Sequence, residues 1–220
     1  MVQSLKIKAF GVIILCIAIS WNAHAGYISN GYVITSRSMQ FQKNSLAGKC
    51  NGTVLYPELL SDADTMTTKI NMEIVNFVKG YKKCDVNSAN KYSVTFDVPF
   101  GSTDYFSVRW YTKLGKELNR VDALTFYPET GELVEIVDIL NPLANNYLPK
   151  IVKLSKNILN SDITWEQFLD KIDQRTVQFY IKDATWYLVF NPETTDNSKK
   201  VIEIKLPDYL VKDNYVTSSR

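Results

Sequence analysis

Hydrophobic positions follow two different periods along this chain. Over residues 92–98, Tyr, Val, Phe and Val alternate with Ser, Thr and Asp, which is the period of a half-buried β-strand. An Asn-Gly pair at Asn51 predicts a bulge or turn, Pro57 predicts a strand end, and the Pro-x-x-Gly segment at 128–131 predicts a hairpin. Similar β-branched and aromatic patterns predict further strands over residues 32–42, 50–56, 105–112, 123–127, 132–137, 176–181, 185–190 and 201–206.

Three other segments have the 3.6-residue period of amphipathic helices. The first begins near residue 61, the second spans residues 146–160, and the third opens with a capping box at Thr164 and Gln167. The strands and helices occur in clusters without regular βαβ alternation, so the sequence predicts an α+β fold, with antiparallel sheets packed against about three helices. The first helix is expected from Ser61 or Asp62 to about Lys82, with one apolar stripe of Met66, Ile70, Ile74, Phe77, Val78 and Tyr81.

The predicted elements suggest a division of the chain into four parts. Residues 1–25 are expected to be a signal peptide, and residues 26–90 an N-terminal strand–helix subdomain. Residues 91–210 are expected to form a C-terminal α+β subdomain, followed by a flexible tail over residues 211–220.

The N-terminus has the three parts of a secretory signal peptide. Lys6 and Lys8 precede an apolar run over residues 10–19, and small residues at Ala23 and Ala25 predict cleavage between Ala25 and Gly26. The alternative is an uncleaved anchor, but a membrane-spanning helix needs about 20 apolar residues. The mature protein is therefore expected to be periplasmic or secreted, and soluble rather than transmembrane.

Charge and histidine content exclude several kinds of site in the expected mature chain. The full sequence has 25 Lys and Arg against 23 Asp and Glu. Removing the two lysines of the signal balances the charges, which argues against a nucleic-acid partner. The single histidine, His24, leaves with the signal. A Ser-His-Asp or Cys-His site and a His-ligated zinc are thereby excluded, and we expect no metal or cofactor.

Two cysteines remain after signal cleavage, Cys50 and Cys84. An even pair in an exported protein predicts a disulfide. Closing a loop of about 35 residues would stabilise the fold by roughly 4 kcal/mol in the chain-entropy model. The alternative, a reactive thiol with a general base, lacks its usual histidine partner.

The most aromatic stretch of the chain, residues 105–111, supplies the candidate binding residues. Strand alternation places Tyr105, Arg109 and Tyr111 on the face opposite Phe106 and Trp110. An aromatic face with an arginine can stack on sugar rings or anchor a protein partner. The alternative is ordinary sheet packing, in which Arg109 covers the aromatic rings.

Carboxylates near strand ends offer a second kind of chemistry. Glycoside hydrolysis needs only an acid and a base or nucleophile, and surface carboxylates in turns are otherwise simply solvated. We predict no catalytic pair, and therefore a non-enzymatic protein. The candidate carboxylates are Asp97, Asp104, Glu129, Glu132, Asp183 and Asp196.

The order of several motifs over residues 50–210 resembles a pair of small domains in the extracytoplasmic part of RsiV-type anti-sigma factors. The same pair precedes the catalytic domain of some peptidoglycan polysaccharide deacetylases. The first half resembles the first domain and the second half its partner. The matching segments are Leu-Tyr-Pro-Glu-Leu at 55–59, Ile70-Asn71 and Ile74, Leu-Thr-Phe at 124–126, Thr130-Gly131, residues 137–140, 147–159, 186–190 and 201–206.

The resemblance implies a binding role outside the cytoplasm. Anti-sigma members sense lysozyme by direct binding, and the deacetylases act on peptidoglycan, so we expect a free-standing sensing module. Its expected partner is a lysozyme-like protein or a peptidoglycan fragment. The alternatives are a histidine-independent envelope enzyme acting on glycan through paired carboxylates, and an envelope structural or adhesion protein.

Overall fold

The computed structural model describes most of the expected mature chain. The described residues are 27–29, 32–45, 48–60, 65–82, 91–141, 177–192 and 201–212, with the backbone alone for 27–29, 42–45, 48–50, 82, 91 and 177. The helices predicted over residues 146–160 and from Thr164 onward lie outside them, as does the tail over residues 213–220.

The described residues form ten strands and two α-helices. The helices are α1 (Thr65–Lys79), extended by a 3₁₀ turn over Gly80–Lys82, and the single-turn α2 (Ile136–Ile139). The strands are β1 (Tyr27–Ser29), β2 (Tyr32–Ser45), β3 (Gly48–Leu59), β4 (Lys91–Gly101), β5 (Phe106–Leu114), β6 (Glu117–Tyr127), β7 (Glu132–Leu133), β8 (Val177–Lys182), β9 (Thr185–Phe190) and β10 (Ile202–Lys205).

Seven strands form one sheet in sequence order, β1 to β7. Neighbours are antiparallel except β3 and β4, which run parallel from Asn51 opposite Lys91 to Val54 opposite Val94. A parallel pair needs a crossover connection, and α1 lies between these two strands in the chain. The sheet curls, so that the Tyr32 hydroxyl at the start of β2 reaches the Ser102 carbonyl beyond β4 and donates to it at 2.6 Å.

The helix α1 packs on the inner face of this curled sheet. Its buried residues are Ile70, Ile74 and Val78, spaced four residues apart as the sequence pattern predicts. They join a core with Trp110 and Phe126, both fully buried. Burial of each isoleucine contributes roughly 1.5–3 kcal/mol, which helps to hold α1 against the sheet.

The three remaining strands form a second antiparallel sheet, in the order β10-β9-β8. It packs on the opposite face of β5 and β6, where Val121, Ala123, Tyr180 and Val189 form a small shared core. The Ser107 hydroxyl on β5 bridges the sheets by accepting from the Ile181 backbone N–H at 3.1 Å. The two sheets are therefore joined by polar as well as apolar contacts.

Asparagine side chains complete open strand edges at two places. Asn191 accepts from the Val121 N–H at 2.8 Å and donates to the Val121 carbonyl at 2.9 Å. Asn71 on α1 makes the same pair of bonds with Leu59, both at 2.9 Å. A side-chain amide thus takes the place of a neighbouring strand, because it carries one donor and one acceptor in the spacing of a peptide group.

The predicted α+β class is wrong: the described protein is mainly β. Ten strands accompany one helix of 15 residues and one of 4. The strand predicted over residues 132–137 stops at Leu133. The chain then turns into α2, where the Asp138 carboxylate accepts from the Glu135 N–H at 3.1 Å.

Strand β3 also departs from the sequence prediction. It passes without a register shift through Asn51-Gly52 and through Pro57, where a bulge or turn and a strand end were predicted. A Cβ on Gly52 would lie 2.0 Å from the Phe41 ring. Glycine here makes room for that aromatic ring and does not bend the strand.

The hairpin predicted at residues 128–131 is found between β6 and β7, with Phe126 opposite Leu133. Gly131 has a φ of +67°, the left-handed conformation that glycine adopts most readily.

The expected boundary between subdomains, at residues 90 and 91, lies at the start of β4, and the seven-stranded sheet runs across it.

Candidate functional site

The three predicted binding residues lie near the junction of the two sheets. In β4 and β5, Asp97 lies opposite Arg109. Arg109 donates from Nε to Asp97 Oδ1 at 3.0 Å and from Nη2 to Asp97 Oδ2 at 2.6 Å. The Tyr111 hydroxyl donates to the same Oδ2 at 3.1 Å. The forked guanidinium and the planar carboxylate therefore form a two-point ion pair.

The second sheet completes the surroundings of Arg109. Its Nη1 donates to the Tyr180 hydroxyl at 2.7 Å and lies 3.5 Å from Glu203 Oε1. The guanidinium carbon lies 4.4 Å from the centre of the Tyr180 ring, which stacks on Tyr187 at 5.3 Å. Only 8% of the Arg109 side chain is exposed, so Arg109 holds the sheets together more than it faces solvent.

The charge states of this cluster are fixed at neutral pH. Burial opposes the charge on Arg109, but its bonds to Asp97 outweigh burial and raise the pKa of Arg109. Burial raises the pKa of Tyr111 and of Tyr180, and the neighbouring carboxylates of Asp97 and Glu203 act in the same direction. The guanidinium stays charged and both phenols stay protonated, which suits a structural junction and not proton transfer.

Tyr105 lies in a different environment. It is 2% exposed and packs edge-on against Trp186, with ring centres 5.2 Å apart, in the core beneath the second sheet. Phe106 and Trp110 point to the α1 core instead. Of the three candidate binding residues, Tyr105 and Arg109 are therefore buried, and Tyr111 alone is half-buried.

The remaining predicted site residues fall largely outside the described structure. Ala25, Gly26 and Cys84 are outside the described residues, and only the backbone of Cys50 is described, in β3. The predicted cleavage and the predicted disulfide remain predictions.

The outer face of the first sheet carries polar side chains beyond the area that the second sheet covers. Gln40 lies opposite Thr53 in β2 and β3, and Thr53 lies opposite Ser93 in the parallel β3–β4 pair. Paired residues share a face, so these three form one row across three strands. Along β4 the same face continues from Ser93 through the exposed Thr95 to Asp97.

The adjacent row across the same strands is aromatic. Phe41, Gly52 and Tyr92 are paired in register. The rings of Phe41 and Tyr92 pack against the α1 core and meet edge-on, with their centres 5.8 Å apart. A cleft of about 630 Å³ opens at this place. It is lined by residues of both rows and their neighbour on β3, namely Gln40, Phe41, Asn51, Gly52, Thr53, Tyr92 and Ser93.

The sequence contains part of the evidence for this cleft. The alternation of Ser93, Thr95 and Asp97 with apolar residues predicts a polar strand face. It does not show that Gln40 and Thr53 lie beside Ser93, because the parallel β3–β4 pairing joins residues about 40 positions apart along the chain.

The candidate catalytic carboxylates are dispersed among ordinary contacts. Asp97 is paired with Arg109, and Glu132 with Lys69 at 3.3 Å. Asp104 donates its backbone N–H to the Ser102 hydroxyl in the β4–β5 turn, and Asp183 lies in the β8–β9 turn with a φ of 48°. Asp196 is outside the described residues. Within the described ranges, no three His, Cys, Asp or Glu side chains cluster as metal ligands would.

Comparisons with known proteins identify the fold. A crystal structure of a DUF3298-family protein from Bacteroides fragilis matches with a TM-score of 0.50 and 14% identity, covering 84% of this chain and 96% of that one. A DUF3298-family protein from Pseudomonas aeruginosa matches with a TM-score of 0.46 and 10% identity, over 84% and 96% of the two chains. The structural neighbours are DUF3298 proteins.

At these identities the likeness concerns the fold alone. No protein family matches the sequence, and no curated protein matches it significantly. No helix in the described part of the chain is long and apolar enough to cross a membrane.

Proposed function

We propose that this chain is a non-catalytic binding module of the cell envelope, periplasmic or secreted, of the type found in the extracytoplasmic region of RsiV-like anti-sigma factors. It holds a cell-envelope component or a lysozyme-like protein without transforming it. The ordered motifs over residues 50–210 and the signal-like N-terminus support this proposal. The fold shared with the Bacteroides protein is compatible with it.

The observation that carries the proposal is the cleft on β2, β3 and β4. Its described lining offers amide and hydroxyl groups on a rigid sheet, where a partner can be held by hydrogen bonds. The Arg109 cluster cannot offer the same, because its donors already bond to Asp97 and Tyr180. The proposed binding surface is therefore this cleft and not the sheet junction.

A binding assay combined with product detection tests this function. Protein purified after export should co-sediment with purified peptidoglycan or be retained on immobilised lysozyme. The bound glycan should be recovered intact, with no soluble sugar released.

The chief alternative is hydrolysis through the two half-exposed carboxylates beside Arg109. Side-chain exposure is 41% for Asp97 and 37% for Glu203. Release of sugar that stops in the Asp97→Asn variant would replace the binding module with an enzyme. Retention on neither peptidoglycan nor lysozyme would contradict both functions.

A further inference from the structure

We propose that the cleft on β2, β3 and β4 is a binding site for an uncharged saccharide segment, such as the N-acetylated glycan of a peptidoglycan fragment. This inference rests on the proposed envelope-binding function and names the part of the ligand that the site contacts. It also assigns the side chains that make the contact: Gln40, Asn51, Thr53 and Ser93.

The charge of the cleft selects the class of ligand. The seven described residues that line it are uncharged. A phosphate, a nucleotide or an acidic peptide would find no charged partner among these seven residues, and they would not compensate the desolvation of its charge. A neutral ligand with many hydroxyl and acetamido groups has no charge to desolvate, and its polar groups can form hydrogen bonds with the side chains of the cleft.

The hydrogen-bonding groups of the lining match such a ligand. The amides of Gln40 and Asn51 each carry donors and an acceptor, and the hydroxyls of Thr53 and Ser93 can act as either. Sugar hydroxyls have the same dual character. Each ligand hydroxyl can therefore be paired in either direction, whereas a charged group could use one direction only.

The sheet holds these groups in a fixed arrangement. Gln40, Thr53 and Ser93 are in register across three adjacent strands, which are spaced about 4.8 Å apart. The Phe41 ring lies against Gly52 in the neighbouring row, and a Cβ there would collide with it. Because the backbone is paired on both sides of β3, the polar row loses little further freedom on binding.

The size of the cleft fits a short oligosaccharide. Its volume of about 630 Å³ lies within the usual range for ligand sites, about 300–1,000 Å³. The exposed Thr95 follows Ser93 on the same face, so a longer chain can continue along β4 toward Tyr111.

Calorimetric titration with the N-acetylglucosamine tetramer and with soluble muropeptides tests the site. The variant Gln40→Ala/Thr53→Val removes two hydrogen-bonding groups and should weaken binding about tenfold or more. Thr53→Ser keeps the hydroxyl and should bind within about twofold of the original chain. Thr103→Ala removes an exposed threonine hydroxyl from the β4–β5 turn, outside the cleft, and should leave binding unchanged.

The outcomes separate this inference from the function on which it rests. Saccharide binding that the double variant leaves unchanged would overturn the site while the binding module stands. Retention of lysozyme with no response to any saccharide would overturn the ligand class alone. If neither lysozyme nor peptidoglycan is bound, the proposed function itself fails.

Discussion

Two arginines show how burial decides what an ion pair contributes in this protein. Arg37 and Glu58 approach to 2.6 Å, the same distance as Arg109 and Asp97. The Arg37 side chain is 55% exposed, whereas that of Arg109 is 8% exposed. Water screens the first pair and replaces it readily, so exposed pairs contribute less than about 1 kcal/mol.

Replacement of the two arginines should therefore have unequal effects on stability. Arg109→Ala should lower the free energy of unfolding by about 3 kcal/mol, because it leaves Asp97 and Tyr180 without their shared partner. Arg37→Ala should lower it by less than about 1 kcal/mol. Urea denaturation measures both, and equal losses would contradict the structural role of Arg109.

Alternation along residues 105–111 correctly separated the side chains that face α1 from those that do not. It did not show which of the others are covered, because the covering strand β8 begins about 70 residues later. Tyr105 and Arg109 are buried by that distant sheet. Exposure on one face of a strand depends on tertiary packing and is not contained in the strand's own pattern.

At the scale of elements, the edge of β6 depends on one side chain that directly follows β9. Asn191 is fully buried and bonds to both backbone groups of Val121. An unpaired buried N–H or carbonyl costs about 1–3 kcal/mol. The amide of Asn191 thus seals the edge that β7, only two residues long, leaves uncovered.

The Asn191→Leu variant should lose about 2–4 kcal/mol of stability, because both Val121 groups lose this partner. In the same variant, hydrogen exchange at the Val121 amide should become faster, because that amide no longer donates to Asn191. Asn76→Leu, an exposed change on α1, should cost less than about 0.5 kcal/mol. Unchanged exchange at Val121 would show that the edge is protected in another way.

Element prediction succeeded where period and length were clear, and failed where long-range contacts decide. The stripe of Ile70, Ile74 and Val78 predicted α1 because its spacing matches a helix turn by turn. In β3, glycine and proline predicted interruptions. The strand continues because pairing with β2 fixes its backbone and Phe41 fills the space above Gly52.

At the scale of the whole molecule, the two sheets leave part of the outer face of the first sheet open. The second sheet covers β5 and β6, while Gln40 and Thr95 remain exposed. For the described residues, the α+β prediction overstated the helices, since α1 fills the concave side of the sheet and strands supply the covering layer on the other. The open area is where a partner can reach the protein without displacing core residues.

Chemical-shift mapping of backbone amides tests this placement of the binding surface most directly. Titration of the isotope-labelled protein with a soluble muropeptide should shift the amides of Thr53, Ser93 and Thr95. The amide of Ile181, bonded to Ser107 in the sheet junction, should stay unchanged. Shifts confined to β8 and β9, with none in β3 or β4, would contradict the account.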